Sequence, residues 1–163
     1  MWSRKIKGYK MKHKCYYDDL DTFGYAFLTE EGWEYKLPEG KKFLWNKAER
    51  LILHDMNCNE VYTGDMCLSM DTHELLILTF NSERLKYNLV NEYRTFDNEE
   101  FLEIDILKVS NVHIKDKKVH SVFVDGTEIN DNYLTLDDAL EIFDCYKDRG
   151  YVNVYIGVKN DNW

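Results

Sequence analysis

The chain has only one proline in 163 residues and no long apolar run. Its longest apolar runs, such as residues 75–78, contain four residues, whereas a membrane-spanning helix needs about 20. The basic residues near the start are followed by further lysines and not by the apolar stretch of a secretory signal peptide. We therefore predict a soluble, cytoplasmic protein that makes no membrane contact.

The chain also lacks the short motifs that mark common enzymes. It has no Gly-x-Ser-x-Gly turn, no Ser-x-x-Lys pair and no glycine-rich phosphate loop. Its four cysteines are spread over the sequence without a Cys-x-x-Cys pair, which favours reduced thiols over a disulfide framework. The sequence thus favours a non-enzymatic protein, and we assign no catalytic residue and no cofactor.

Hydrophobic residues make up 44% of the chain, which predicts a folded core and not a disordered polypeptide. We predict an α+β fold, with residues 1–163 forming a single compact domain of mostly antiparallel sheet. About two main helices, near 44–56 and 136–149, pack on the sheet, because apolar residues recur there at helical spacing. Thr135 and Asp138 add a capping pattern at the start of the second helix.

Two subdomains are expected within this domain. Residues 15–95 read as a hairpin, a helix and a β-meander, and residues 96–163 read as a hairpin, a helix and a final strand, after a basic N-terminal arm at 1–14. In the second hairpin, the turn at 115–118 places His113 opposite His120. Strands are expected at 22–28, 33–37, 60–63, 66–70, 74–80, 85–90, 104–114, 119–125 and 151–158.

Acidic residues outnumber basic ones by 30 to 21, which gives a formal net charge of −9. The six basic residues within positions 1–14 are offset by no acid, and the stretches 51–83 and 119–146 contain acids but no Lys or Arg. An acidic surface repels phosphate backbones, so we expect no direct nucleic-acid binding by the acidic body. The basic arm is either a solvated leading strand or a contact for nucleic acid or an acidic partner.

Two sets of side chains offer metal-binding or catalytic chemistry. One set provides four nitrogen or sulfur ligands suited to a zinc ion: His54, Cys58, Cys67 and His73. The other is the opposed pair His113 and His120. A hydrolase or metal-dependent enzyme using either set is the alternative function, although the two cysteines also suit small buried hydrophobes and the histidines suit a polar sheet face.

Aromatic residues form 15% of the chain, and Tyr and Trp are typical of binding hot spots. Together with the acids they predict an interaction module that docks on a basic protein surface, in its stronger form an inhibitor of a nucleic-acid-binding site. The composition, rich in Lys, Asn, Tyr and Ile, resembles that of viruses and mobile elements with AT-rich genomes, which makes a host protein a natural target. A self-assembling structural protein joined through the strand at 151–158 is a further alternative. The predicted partner-binding residues are Asp125, Glu128, Asp131, Asp137, Asp138, Tyr151 and Tyr155.

Overall fold

The computed structural model describes residues 11–97 and 100–159 and consists mainly of antiparallel β-sheet. The only α-helix in these ranges is α1 (Leu136–Asp148), and no helix of the described residues is long and apolar enough to cross a membrane. Two short 3-10 helices occur at Trp45–Lys47 and Glu100–Leu102. The strands are β1 (Met11–Tyr17), β2 (Thr22–Thr29), β3 (Gly32–Lys36), β4 (Glu49–His54), β5 (Glu60–Tyr62), β6 (Asp65–Ser69), β7 (Leu75–Asn81), β8 (Lys86–Val90), β9 (Thr95–Phe96), β10 (Ile106–Asn111), β11 (His120–Val124), β12 (Thr127–Glu128) and β13 (Val154–Val158).

The described residues divide into two compact units after Lys108, within β10. Unit 1 contains a sheet with the strand order β3-β2-β1-β4-β5 and most of a second sheet with the order β10-β6-β7-β8-β9. Unit 2 contains α1 and a three-stranded sheet with the order β12-β11-β13. The single domain over 1–163 and the subdomains 15–95 and 96–163 stay predictions.

Two clusters of buried apolar side chains hold unit 1 together. The smaller one lies against the first sheet, where the segment after β3 brings Phe43 onto Cys15, Tyr17 and Ala26. The larger one is built mainly by β4 and β5 of the first sheet and by the meander β6–β8 of the second, and its members are almost fully removed from water. Its members are Leu53, Val61, Cys67, Leu76, Leu78, Leu89, Phe101 and Ile106.

The predicted α+β arrangement with two main helices is wrong, because residues 44–56 form a 3-10 turn followed by strand β4. Apolar residues there fit helical spacing, but the run from Leu51 to Leu53 also suits a strand, and periodicity alone does not separate the two over so short a segment. Pairing with β1 and β5 decides in favour of the strand. The helix predicted at 136–149 is confirmed, as is the antiparallel meander of the strands predicted at 66–70, 74–80 and 85–90. The strand predicted at 60–63 does not pair with 66–70, because β5 pairs with β4 in the first sheet.

The predicted hairpin of 104–114 with 119–125 is also wrong. Strand β10 lies beside β6, whereas β11 pairs with β12 and β13. Between β10 and β11, the backbone N–H groups of Ile114 and Lys115 both donate to the carbonyl of Asn111, and the Ile114 side chain is buried. A compact turn anchored by one apolar side chain therefore replaces the tight hairpin that would have placed His113 opposite His120.

Residues 1–10 of the predicted basic arm lie outside the described residues, and residues 11–14 belong to strand β1. Lys12 forms an ion pair with Glu60 at 2.8 Å. Lys14 is fully buried, and its Nζ lies 2.6 Å from Oδ1 of Asp65. The last part of the arm is therefore a paired strand and not a solvated extension.

Asp65 links two buried lysines in the interior of unit 1. Its Oδ2 lies 3.4 Å from Nζ of Lys108 and accepts a hydrogen bond of 2.8 Å from the backbone N–H of Tyr62. The Lys14 ammonium also lies over the rings of Phe23 and Tyr62, at 4.5 and 4.6 Å from their centroids. Burial lowers the pKa of Lys108 to about 8, although the carboxylate of Asp65 opposes this change. Nζ of Lys108 also donates to the backbone carbonyl of Glu60 at 2.8 Å, so the shared carboxylate, a backbone carbonyl and aromatic faces all contact these two cations.

Candidate interaction surface

Helix α1 carries exposed acidic residues on the side that faces away from the sheet of unit 2. The hydroxyl oxygen of Thr135 accepts a hydrogen bond from the backbone N–H of Asp138 at 3.3 Å, which caps the first turn. Leu136, Ala139 and Phe143 form the buried face of the helix. This face contacts β11 and β13, so the position of the opposite face is fixed by packing.

Four carboxylates form a stripe on the exposed side of α1. They are separated by four, three and four residues, which places them within one narrow arc of the helix surface. All four are solvent-exposed, and none makes an ion pair with another described residue. We call this set the acidic stripe; it consists of Asp137, Glu141, Asp144 and Asp148.

The acidic stripe is locally unfavourable for the helix that carries it. Like charges three or four positions apart destabilise a helix by about 0.2–0.5 kcal/mol per pair, so the stripe costs about 1 kcal/mol in total. Asp148 also lies in the last turn, where the negative end of the helix dipole disfavours a carboxylate. Only Asp137, in the first turn, is favoured by the dipole.

The basic residues near the end of α1 are engaged elsewhere. Lys147 donates from Nζ to the backbone carbonyl of Val152 at 2.9 Å. The guanidinium of Arg149 lies over the ring of Tyr146, 5.5 Å from its centroid. Neither of these cations forms an ion pair with a carboxylate of the stripe among the described residues.

The remaining predicted carboxylates are exposed on other parts of unit 2. Asp125 occupies the left-handed region at φ 50° and, with Gly126 at φ 83°, forms the tight turn between β11 and β12. Glu128 lies on β12, opposite Phe123, and Asp131 lies in the following loop. Only Asp137 and Asp138 of the five are on α1, so the predicted acids do not share one element.

The two predicted tyrosines do not lie at alternating positions of one strand, because β13 begins at Val154 and not at residue 151. Tyr151 is exposed and its ring contacts Tyr146 of α1 at 5.3 Å. Tyr155 is half-buried and stacks face to face on Phe123 of β11 at 4.9 Å. Tyr151 therefore adjoins the helix, whereas Tyr155 belongs to the sheet.

Comparison with known proteins finds no family model, curated protein or solved structure that matches this chain. The acidic stripe is described by its own side chains: four exposed carboxylates along α1 that generate a negative electrostatic potential on this side of the helix.

The structure does not assemble the predicted metal ligands. Cys67 is buried in the larger apolar cluster, His54 ends β4, Cys58 is exposed in the following loop, and His73 lies in the turn before β7. No group of three or more His, Cys, Asp or Glu residues within 11–97 and 100–159 is arranged to hold a metal ion. Burial raises the pKa of the Cys67 thiol, which favours the neutral form over the thiolate that binds zinc.

His113 and His120 occupy different environments. His113 is exposed in the turn after β10, whereas His120 is completely buried in β11, where its register partner is Val158. The ring of His120 bonds through Nε2 to Oγ of Ser110 at 2.7 Å and through Nδ1 to the carbonyl oxygen of Leu134 at 2.9 Å. Burial lowers its pKa. Both ring nitrogens of His120 are therefore hydrogen-bonded within unit 2.

An aromatic cluster that the sequence analysis did not single out lies on the first sheet of unit 1. The rings of Trp33 and Trp45 meet edge to face at 4.8 Å, and the ring of His13 lies within 6 Å of both. Phe43 contacts Trp45 at 4.7 Å and Tyr35 at 6.2 Å. The alternation of side chains along strand β3 could have predicted that Trp33 and Tyr35 share one face of the sheet. The position of Trp45 could not be predicted in this way, because it depends on the long-range packing of the 3-10 turn.

Proposed function

We propose that this chain is a small, acidic, non-enzymatic interaction module whose unit 2 docks onto a basic site of another protein. In the form we favour, that site normally binds nucleic acid, so that docking inhibits it. The observation that carries the proposal is the acidic stripe, an array of exposed carboxylates without internal counterions that its own helix does not favour.

The dimensions of the stripe support a partner that binds phosphates. From Asp137 to Asp148 the helix rises by about 16 Å, so the four carboxylates present roughly one charge every 5.5 Å. A strand of B-form DNA carries one phosphate per 3.4 Å of axis, which is a spacing of the same order. A groove lined with Lys and Arg for phosphates therefore offers counterions at distances that the stripe can use.

The repulsion that destabilises α1 and the attraction of the stripe for a cationic partner have the same electrostatic origin. Neighbouring carboxylates of the stripe lie within the Debye length of about 8 Å at physiological salt, so they repel one another in the free protein. Cations supplied by a partner convert this repulsion into attraction and speed the encounter. Tyr151, exposed beside the helix, adds a rigid amphipathic ring of the kind found at interface centres.

The test is capture of partners by the immobilised chain, compared with a variant that neutralises the stripe. The variant is Glu141→Gln/Asp144→Asn/Asp148→Asn, which retains Asp137 for the helix dipole and should stabilise α1 slightly, so loss of capture is not caused by unfolding. The matched control makes the same change in net charge at exposed acids of unit 1: Glu83→Gln/Glu92→Gln/Glu103→Gln.

We expect the unmodified chain and the control to retain a basic protein, and the stripe variant to lose it. Capture should decline as salt is raised, and a double-stranded DNA oligonucleotide should displace the partner if its nucleic-acid site is occupied. Recovery that is equal for the stripe variant and the control would contradict the proposal, as would a captured partner without a basic surface.

A further inference from the structure

Strand β3 forms an open edge of the first sheet in unit 1. It pairs with β2 on one side, and no strand of the described chain lies on its other side. Because the two-residue turn after Thr29 closes on a hydrogen-bonded pair, the backbone groups of Glu34 and Lys36 point towards β2. The backbone N–H and C=O groups of Trp33 and Tyr35 point outward from the edge, in the plane of the sheet, and are available to another strand.

The side chains of this edge are exposed and unusually aromatic. Trp33 and Tyr35 retain 37% and 48% of their accessible surface, and the adjacent Trp45 retains 45%. Natural edge strands are generally protected by charges, bulges or short length, and exposed apolar edges mark pairing sites. Here the protecting charges are Glu34 and Lys36, which have opposite signs and make no ion pair with another described residue.

The edge is self-complementary in the antiparallel direction. If two copies of β3 pair about a two-fold axis at Tyr35, Glu34 of each copy lies opposite Lys36 of the other. The two Tyr35 residues then exchange both of their backbone hydrogen bonds, because their N–H and C=O groups are the ones that point outward. Pro38, which has no N–H to donate, limits the pairing to the strand itself.

The charge around the edge also favours a second copy over a charged partner. Residues 30–47 contain four Glu and four Lys and are therefore neutral, whereas the whole chain carries −9. His13 contacts Trp33 and Trp45 of the aromatic cluster. Burial and the nearby Arg50 guanidinium lower the pKa of His13, so its ring adds no charge at neutral pH. A neutral region is where two chains of high like charge can approach most closely.

We propose that β3 is a homodimerisation edge, through which two copies of this chain join their first sheets into one continuous antiparallel sheet. The contact is a single short strand pair flanked by Trp33 and Tyr35, so the dimer is weak and reversible and not obligate. This edge differs from the strand at 151–158 that the sequence suggested for self-assembly.

The experiment is sedimentation equilibrium of the full chain over a range of concentrations, with charge variants of the edge. Glu34→Lys places like charges opposite each other at both symmetry-related positions and should weaken the dimer roughly tenfold, and Lys36→Glu should do the same. The control Glu83→Lys makes an identical charge change on the exposed turn between β7 and β8, and it should leave association unchanged or slightly stronger.

Mixing the two single variants gives the decisive result. Every charged position of a Glu34→Lys strand is matched by the opposite charge on a Lys36→Glu strand, so the mixture should form a heterodimer while each variant alone stays largely monomeric. Amide exchange adds an independent readout: the Tyr35 amide should gain protection as concentration rises, whereas the Glu34 amide, already bonded to β2, should not change. A chain that stays monomeric at all concentrations, or a mixture that does not associate, overturns the proposal.

Discussion

Removing the carboxylate of Asp65 should destabilise unit 1 far more than any exposed ion-pair change. Asp65 is fully buried and its two oxygens contact the ammonium groups of Lys14 and Lys108 at 2.6 and 3.4 Å. The variant Asp65→Asn leaves both cations in the interior without this anion. Breaking a buried pair in this way typically costs about 3–5 kcal/mol, a large part of the roughly 5–15 kcal/mol that stabilises an ordinary domain.

The matched control is Lys12→Met, which removes the neighbouring ion pair of β1. The side chains of Lys12 and Glu60 are 18% and 30% exposed, so this pair is partly screened by water and should contribute no more than about 1 kcal/mol. Urea unfolding followed by tryptophan fluorescence gives both values, since Trp33 and Trp45 lie in unit 1. Equal losses for Asp65→Asn and Lys12→Met would refute the reasoning, because they would show that the buried cluster stabilises no more than a surface pair.

Two further predictions concern pH. The pKa of Lys108 is lowered to about 8, against about 10.4 for an unfolded lysine, so the unfolded state holds a proton that the native state has released between these values. The free energy of unfolding should therefore rise by about 1 kcal/mol from pH 8 to about 9, and this rise should vanish in Lys108→Met. Above pH 9 the raised pKa of the Cys67 thiol, and above pH 10 the raised pKa values of Tyr25 and Tyr62, oppose the rise, because the unfolded state loses these protons first. At the acid side, burial lowers the pKa of His120, so the unfolded state takes up a proton first as the pH falls through about 6.5, and the free energy of unfolding should decline there. His120→Gln should flatten that decline in thermal or urea titrations but not abolish it, because the pKa of His13 is lowered as well.

Local signals made part of the fold predictable. The cap at Thr135 and the apolar spacing of Leu136, Ala139 and Phe143 lie within one segment, and the helix follows from them. The segment containing Leu51 failed because its apolar residues fit both periodicities, and the choice was made by pairing with strands that are distant in the sequence. Pairing between strands that are distant in the sequence cannot be predicted from a short segment of sequence.

Among the predicted site residues, the exposure of the carboxylates was easier to predict than that of the aromatic rings, and the reason is physical. A carboxylate is buried only where the fold supplies partners, as Lys14 and Lys108 do for Asp65 from distant parts of the sequence. Most carboxylates have no such partner, so exposure is the better prediction for an acid, and Asp125, Glu128 and Asp131 are exposed. An aromatic ring is stable both inside and at the surface, so its placement depends on the fold. Tyr155 accordingly stacks on Phe123 within the sheet, although its position in the sequence suggested an open face.

The two proposed surfaces differ in their electrostatic preference for a partner. A second copy of this chain carries −9 and is repelled by the acidic stripe, so self-association has to use a neutral region such as the edge at β3. A basic partner is attracted by the stripe and gains nothing electrostatically from that edge. As salt increases from about 10 to 150 mM, the screening length falls from about 30 to 8 Å. This weakens attraction at the stripe, whereas at the β3 edge it screens both the repulsion between copies and the Glu34–Lys36 pairs, so docking at the stripe should depend on salt more steeply than dimerisation.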